Sequence, residues 1–166
     1  MNMKNLLTIA FLFLLLTSSG LMAQEKQIKF SASPSLVLPT GVFSEILSAG
    51  GSVEFKGAYS LAENVSLSGS LGYGFMSSNL KDGGSTTFVP VMADLSYQLD
   101  KLNFGFGVGY ISYSFDESVK STGGFTIRPQ VGFDVSDKIQ LNLNYTTTSV
   151  EGININYIGI SPVFRF

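Results

Sequence analysis

Leu102-Asn103-Phe104-Gly105-Phe106-Gly107-Val108-Gly109-Tyr110 sets a large apolar residue against a small or polar one at every step. Period two marks a β-strand with two unlike faces, because successive side chains leave a strand on opposite sides. The same alternation holds from Ile28 to Leu38, Val53 to Tyr59, Val65 to Phe75, Val89 to Leu99, Phe125 to Val135, Ile139 to Tyr145 and Ile158 to Phe166. Helical spacing is almost absent past Gln27, so the sequence predicts an all-β chain of eight strands. An even number suits an antiparallel barrel whose two ends lie on the same side.

Which solvent the apolar face meets is a separate question, and volume answers it. An eight-stranded barrel has an interior just wide enough for side chains to fill. Phe104, Phe106, Val108, Tyr110 and their counterparts would overfill it, and Asn103, Gly105, Gly107 and Gly109 would be left to face water. The reverse assignment fits, with Ser66, Ser68, Ser70, Gly72, Gly74, Gln140, Asn142, Asn144 and Thr146 inside and the apolar face toward lipid. A soluble lipocalin-like ligand carrier is the alternative that this argument disfavours. Composition agrees: 13% of residues are charged and 45% hydrophobic, with a mean hydropathy of +0.29, a poor set for a water-facing surface.

The connections are expected to alternate. Ser60 to Asn64, Asp100-Lys101 and Ser136 to Lys138 read as tight turns, while Pro39 to Gly50, Ser77 to Thr86 and Asp116 to Gly124 read as longer loops, with Ser149 to Gly152 closing the set. Short turns on the periplasmic side and longer loops outside the cell is how outer-membrane barrels are organised. The tight turns also repeat: Tyr59-Ser60-Leu61-Ala62-Glu63-Asn64-Val65-Ser66-Leu67 returns as Phe133-Asp134-Val135-Ser136-Asp137-Lys138-Ile139-Gln140-Leu141, and one residue shorter from Tyr97 to Phe104. In the first long loop Val42, Phe43, Ile46 and Leu47 are spaced for a turn or two of amphipathic helix, over the barrel mouth or at the lipid interface. Pro34, Pro90, Pro129 and Pro162 fall inside strands, where a missing N–H predicts bulges.

The first residues read as an address. Lys4 precedes an uncharged apolar run from Leu6 to Leu16, too short for the ~20 apolar residues of a spanning helix, and Leu21-Met22-Ala23 leads into Gln24-Glu25-Lys26. A signal peptide over residues 1–23 is expected, cut after Ala23 or alternatively after Gly20, followed by one domain over 24–166. Export places both barrel ends in the periplasm.

The chain resembles the outer-membrane β-barrel domain family, the OmpA/OmpX-like eight-stranded barrels, and especially the forms found in Bacteroidota. The resemblance rests on Leu38-Pro39-Thr40-Gly41-Val42-Phe43-Ser44, the turn repeat, Thr126-Ile127-Arg128-Pro129-Gln130-Val131-Gly132-Phe133 and the terminal Phe164-Arg165-Phe166. It implies an eight-stranded antiparallel up-and-down transmembrane β-barrel in the Gram-negative outer membrane, surrounded by outer-membrane lipids. It also implies that the barrel assembly machinery reads the last strand ending in Phe166, although Ser161 stands where that signal usually carries glycine. The expected state is a monomer.

Chemistry is hard to place. The chain has no His and no Cys, which removes the base used by the barrel enzymes that this chain resembles in size, as well as thiolate metal sites and lipidation at cysteine. Asp116 and Glu117 form the remaining carboxylate pair, and a solvated loop explains them. Asp82, Glu45 and Glu151 stand singly, without metal-ligand spacing. Gly105, Gly107 and Gly109 lack the following helix that a phosphate loop requires, and room for neighbouring side chains in a tight lumen explains them. Asn64-Val65-Ser66 and Asn144-Tyr145-Thr146 match the glycosylation sequon, which bacterial export makes irrelevant. A net charge of -2 with scattered Lys excludes a nucleic-acid partner. No cofactor, metal site or catalytic residue is expected.

The function expected is therefore non-catalytic, structural or surface-contacting through extracellular loops, with a small-solute pore as the alternative. On the inward phase lie Lys29, Glu54, Lys56, Asp94, Arg128, Asp134 and Arg165. In so narrow a space such charges must pair. Glu54, Lys56, Asp94 and Arg128 are expected to form an ion network that blocks the lumen, with Arg128 as its hub.

Overall fold

Alternating residues that cannot share one solvent favour extended chain, and chain that must satisfy its backbone within an apolar medium closes on itself. The computed structural model describes residues 28–79, 84–115 and 121–166. The expected signal peptide and the loop residues Asp82, Asp116 and Glu117 lie outside the described residues. Eight strands close into one antiparallel barrel in sequence order: β1 Lys29–Thr40, β2 Leu47–Ala62, β3 Val65–Ser78, β4 Ser85–Leu99, β5 Leu102–Phe115, β6 Thr122–Asp134, β7 Ile139–Val150 and β8 Ile153–Arg165. The apolar face points outward all the way round, with Phe55, Leu71, Leu95, Phe106, Phe125, Leu141 and Ile160 among its exposed side chains. A continuous apolar belt far exceeds what a soluble monomer exposes, so the lipocalin-like alternative falls.

The strands run longer than the alternation indicates. They reach 12 residues in β1 and 16 in β2, where crossing the hydrocarbon needs ~9–11. The loops shrink accordingly. The segment read as a loop from Pro39 to Gly50 is a short 3-10 helix, Gly41–Glu45, and Leu47 already belongs to β2. Glu151 and Gly152, both at positive φ (49° and 87°), make a two-residue turn between β7 and β8. That connection is as tight as Glu63-Asn64 and Asp100-Lys101 at the opposite end, so the expected contrast of long and short sides holds for only part of the barrel.

The prolines correct a second expectation. Pro34, Pro90, Pro129 and Pro162 pair without interruption with Val53, Ile111, Phe106 and Leu141 on one flank. On the other flank the pairing stops and resumes in unchanged register: around Pro90 between Leu71↔Val91 and Gly74↔Phe88, around Pro129 between Ile127↔Thr147 and Gln130↔Asn144, and around Pro34 and Pro162 together between Ala32↔Phe164 and Leu36↔Ile160. No extra residue is inserted. A ring nitrogen without a proton removes a rung and leaves the register unchanged. The register shifts of the β2–β3 pair lie elsewhere, at Leu47/Gly50 and Ser60/Ala62.

Along most strands the faces exchange character near the loop end. On β5 the outward series Leu102 to Tyr110 gives way to Ser112 and Ser114, while the inward series Asn103 to Gly109 gives way to buried Ile111 and Tyr113. On β8 the outward Ile160 and Ile158 are followed by Asn156 and Asn154, with Tyr157 and Ile155 buried inside. On β3 Ser77 follows outward Phe75 as Met76 turns in. The only cluster of buried hydrophobic side chains among the described residues therefore sits inside the loop end of the barrel: Val37, Leu47, Met76, Phe88, Ile111, Tyr113, Val150, Ile155 and Tyr157, with Phe43 of the 3-10 helix packed against it.

Candidate functional site

The lumen has three levels. At mid-barrel Arg128, on β6, points inward and is almost fully enclosed, its side chain 7% exposed. Its Nη1 donates to Glu54 Oε2 at 2.7 Å and its Nη2 to Glu54 Oε1 at 3.2 Å. The same Nη2 reaches both oxygens of Asp94 at 3.0 Å. The Lys56 ammonium stands 3.4 Å from Asp94 Oδ2, and the Asp94 side chain is 1% exposed. Gln130 Nε2 donates to Asp94 Oδ1 at 3.2 Å. The structure thus brings Glu54, Lys56, Asp94 and Arg128 together from β2, β4 and β6.

A glycine makes this contact possible. Asp94 is the ladder partner of Gly107, and Gly107 is the ladder partner of Arg128, so β5 runs between carboxylate and guanidinium without a side chain. A β-carbon at Gly107 would overlap the Asp94 carboxylate. The same pairing of absent and large side chains recurs at Gly74 against Phe88, Gly105 against Gln130 and Gly159 against Asn144. These inward glycines make room in a narrow lumen.

Toward the end that holds the chain termini, the polar network continues more openly. Arg165 Nη2 donates to Asp134 Oδ1 at 2.6 Å, and Asp134 also accepts from Gln98 Nε2 at 3.0 Å and Gln140 Nε2 at 2.8 Å. Asn142 Nδ2 donates to Gln130 Oε1 at 3.1 Å, which extends the central group toward this one. Lys29 lies at the mouth and, among the described residues, carries no ion pair. These groups line a vestibule of about 1020 Å³ that begins at Lys29 and Lys138 and ends against Val37, Phe88 and Tyr157.

Those last residues are the floor of the apolar plug at the loop end. The Phe88 ring packs against Tyr113 and Tyr157 with centroids 6.0 and 5.7 Å away, within the range of favourable tilted ring pairs. Tyr113 Oη donates to Thr148 Oγ1 at 3.1 Å, and Thr148 Oγ1 shares a 2.9 Å hydrogen bond with Thr126 Oγ1. Reading the inward face as uniformly small and polar misses this plug. The signal was present, since Met76, Phe88, Ile111, Tyr113, Val150, Ile155 and Tyr157 all stand on the phase opposite to the outward apolar series. Glu45 and Glu151 sit on separate connections, and among the described residues no three carboxylates gather into a metal site.

The sequence matches the family described as outer membrane protein beta-barrel domain over residues 9–166. No curated protein sequence matches the chain. Among solved structures, the N-terminal β-barrel domain of Pseudomonas aeruginosa OprF is similar at 12% identity and a TM-score of 0.61, covering 86% of this chain and 100% of the other. Ail of Yersinia pestis, in a phospholipid bilayer nanodisc, is similar at 10% identity and a TM-score of 0.60, covering 84% and 100%. A de novo designed transmembrane β-barrel reaches 17% identity and a TM-score of 0.57, covering 87% and 100%. At such identities the likeness is one of fold.

Proposed function

The chain belongs to the outer-membrane β-barrel domain family, and from that premise we propose that it serves the outer membrane as a non-catalytic structural barrel whose lumen does not pass solutes. The observation that carries this reading is the apolar plug around Phe88 and Tyr113, against which the vestibule ends after passing the Arg128–Glu54–Asp94–Lys56 network that narrows it at mid-barrel. Ion pairs alone could rearrange to admit water. A packed apolar layer above them adds a barrier that hydrated ions do not cross.

The test is single-channel recording of the purified full chain in a planar bilayer. Silence at voltages where a pore conducts is the expected result, and steady, resolved openings would return the small-solute pore to first place.

In this reading a signal peptide over residues 1–23 exports the chain, both termini face the periplasm, the barrel is a monomer, and Phe166 closes the last strand in the form read by the assembly machinery. Phe166 N donates to Phe30 O at 2.9 Å, so the final residue completes the seam with β1. Surface contact is confined to the loop end, where the 3-10 helix exposes Val42 at 81%. Single cysteines test the orientation: Asn154→Cys should react with an impermeant thiol reagent on intact cells, and Asp137→Cys only after lysis. Equal labelling of both would reverse or abolish the assignment.

A further inference from the structure

The seam between β1 and β8 is the weakest part of the wall, and its weakness is placed against a charged corner of the vestibule. Pro34 and Pro162 stand directly opposite each other, since the register is the same below them at Ala32↔Phe164 and above them at Leu36↔Ile160. Neither has an N–H, so both donors of that rung are missing and the carbonyls facing the gap have no partner across it. Elsewhere a strand proline faces a residue with its own amide, Gly72 for Pro90 and Tyr145 for Pro129. Pro34 and Pro162 lie on the outward phase midway along the apolar belt, where water does not reach to satisfy a carbonyl. Behind them, Ser33, Ser35 and Ser161 line the vestibule.

Just below this gap the register gathers cations. Ser31 pairs with Lys56 on one side and Arg165 on the other, and Lys29 is the next inward residue on β1. All three cations line the vestibule. Lys56 and Arg165 have Asp94 and Asp134 as partners yet keep 22% and 29% of their side chains exposed. Glu54, the ladder partner of Ser33, is turned to Arg128. The outer side of the gap is hydrocarbon and the inner side is a polar chamber in which Lys29, without an ion pair among the described residues, stands beside the partly exposed Lys56 and Arg165, a combination that matches a molecule with one apolar and one anionic part.

We propose that this corner binds an anionic single-chain amphiphile, with its head held by Lys29, Lys56 and Arg165 inside the vestibule and its alkyl chain passing between Pro34 and Pro162 into the bilayer. Intact pairing on both sides limits the window to four residue steps, about 13 Å at the usual rise, which favours one chain over a bulky branched lipid. The site opens on the terminal end alone and does not depend on whether the lumen conducts.

The experiment uses the full barrel in phospholipid nanodiscs with a photoactivatable palmitate whose diazirine sits in mid-chain, and maps the cross-links by mass spectrometry. Cross-links should concentrate on the β1 and β8 peptides that carry Pro34 and Pro162. Excess oleate should compete at least about tenfold better than its methyl ester, because the ester cannot form charge-assisted hydrogen bonds with the cations. The variant carrying Pro34→Val and Pro162→Val restores both donors and should cut cross-linking severalfold while the barrel keeps its heat-modifiable migration. If that variant does not fold, the wild-type map and the ester comparison still decide. Lysophosphatidate included as a second competitor distinguishes the two kinds of head: stronger competition by oleate assigns a carboxylate, and stronger competition by lysophosphatidate a phosphate, both within the proposal. Cross-links spread evenly around the belt, undiminished cross-linking in the folded valine variant, or equal competition by the methyl ester would each overturn it.

Discussion

Below the level of Tyr110 and Tyr145 the barrel is apolar outside and polar inside, and above it the two faces trade places. The same strands build both parts, with the same pleat and register, so secondary structure does not separate them. The solvent does. In the lower part lipid surrounds the wall, an outward Leu or Phe costs nothing, and the polar lumen must satisfy its own groups through ion pairs and amide hydrogen bonds. In the upper part outward Ser112, Ser114, Ser149 and Asn154 meet water, and the hydrophobic effect again drives apolar side chains inward, as in a soluble barrel. The level at which a strand changes phase therefore marks the edge of the hydrocarbon, and it explains why strands of 12 to 16 residues are used.

Removing the centre of each part has the largest expected effect. Arg128→Ala leaves Glu54 without a counter-ion and Asp94 with Lys56 alone, and is expected to cost about 3 kcal/mol, read as a lower unfolding midpoint on heat-modifiability gels. Taken alone, the ion network would suggest a leak in this variant. The plug predicts otherwise, and Arg128→Ala should remain electrically silent. Unchanged heat resistance would remove Arg128 from its place as hub.

Phe88→Ala opens a cavity between Tyr113 and Tyr157 and is expected to cost about 3 kcal/mol, again without conductance, since the rest of the plug stays in place and the network still narrows the vestibule below it. The double variant should conduct if the obstructions act in series. Conductance in either single variant would show that one layer alone seals the lumen.

A gentler measurement sharpens the boundary itself. The chain contains no Trp, so one introduced tryptophan reports cleanly. Val91→Trp, in the outward belt, should be strongly quenched by lipids brominated along their chains. Ser114→Trp, on the outward phase beyond the change of character, should be quenched only weakly, with stability altered by about 0.5 kcal/mol or less. Equal quenching would place the whole strand in the bilayer and leave the inward plug without a water-driven explanation.

Much of this architecture is legible in one dimension, because a strand's period of two is written residue by residue. The phase from Leu102 to Tyr110, repeated in seven other segments, carries the number of strands, the outward face and the inward set to which Glu54, Asp94 and Arg128 belong. The phase change was equally visible in Ile111 and Tyr113, yet it acquires meaning only when the ends of seven strands, all but β6, are seen to converge on one plug. Other features were decided in three dimensions. That Asp94 meets Arg128 depends on Gly107 lying between them in the ladder, and that Pro34 faces Pro162 depends on closure of the first strand on the last. Local alternation specifies which way each side chain points, but only the pairing of strands distant in the chain specifies which side chain it meets.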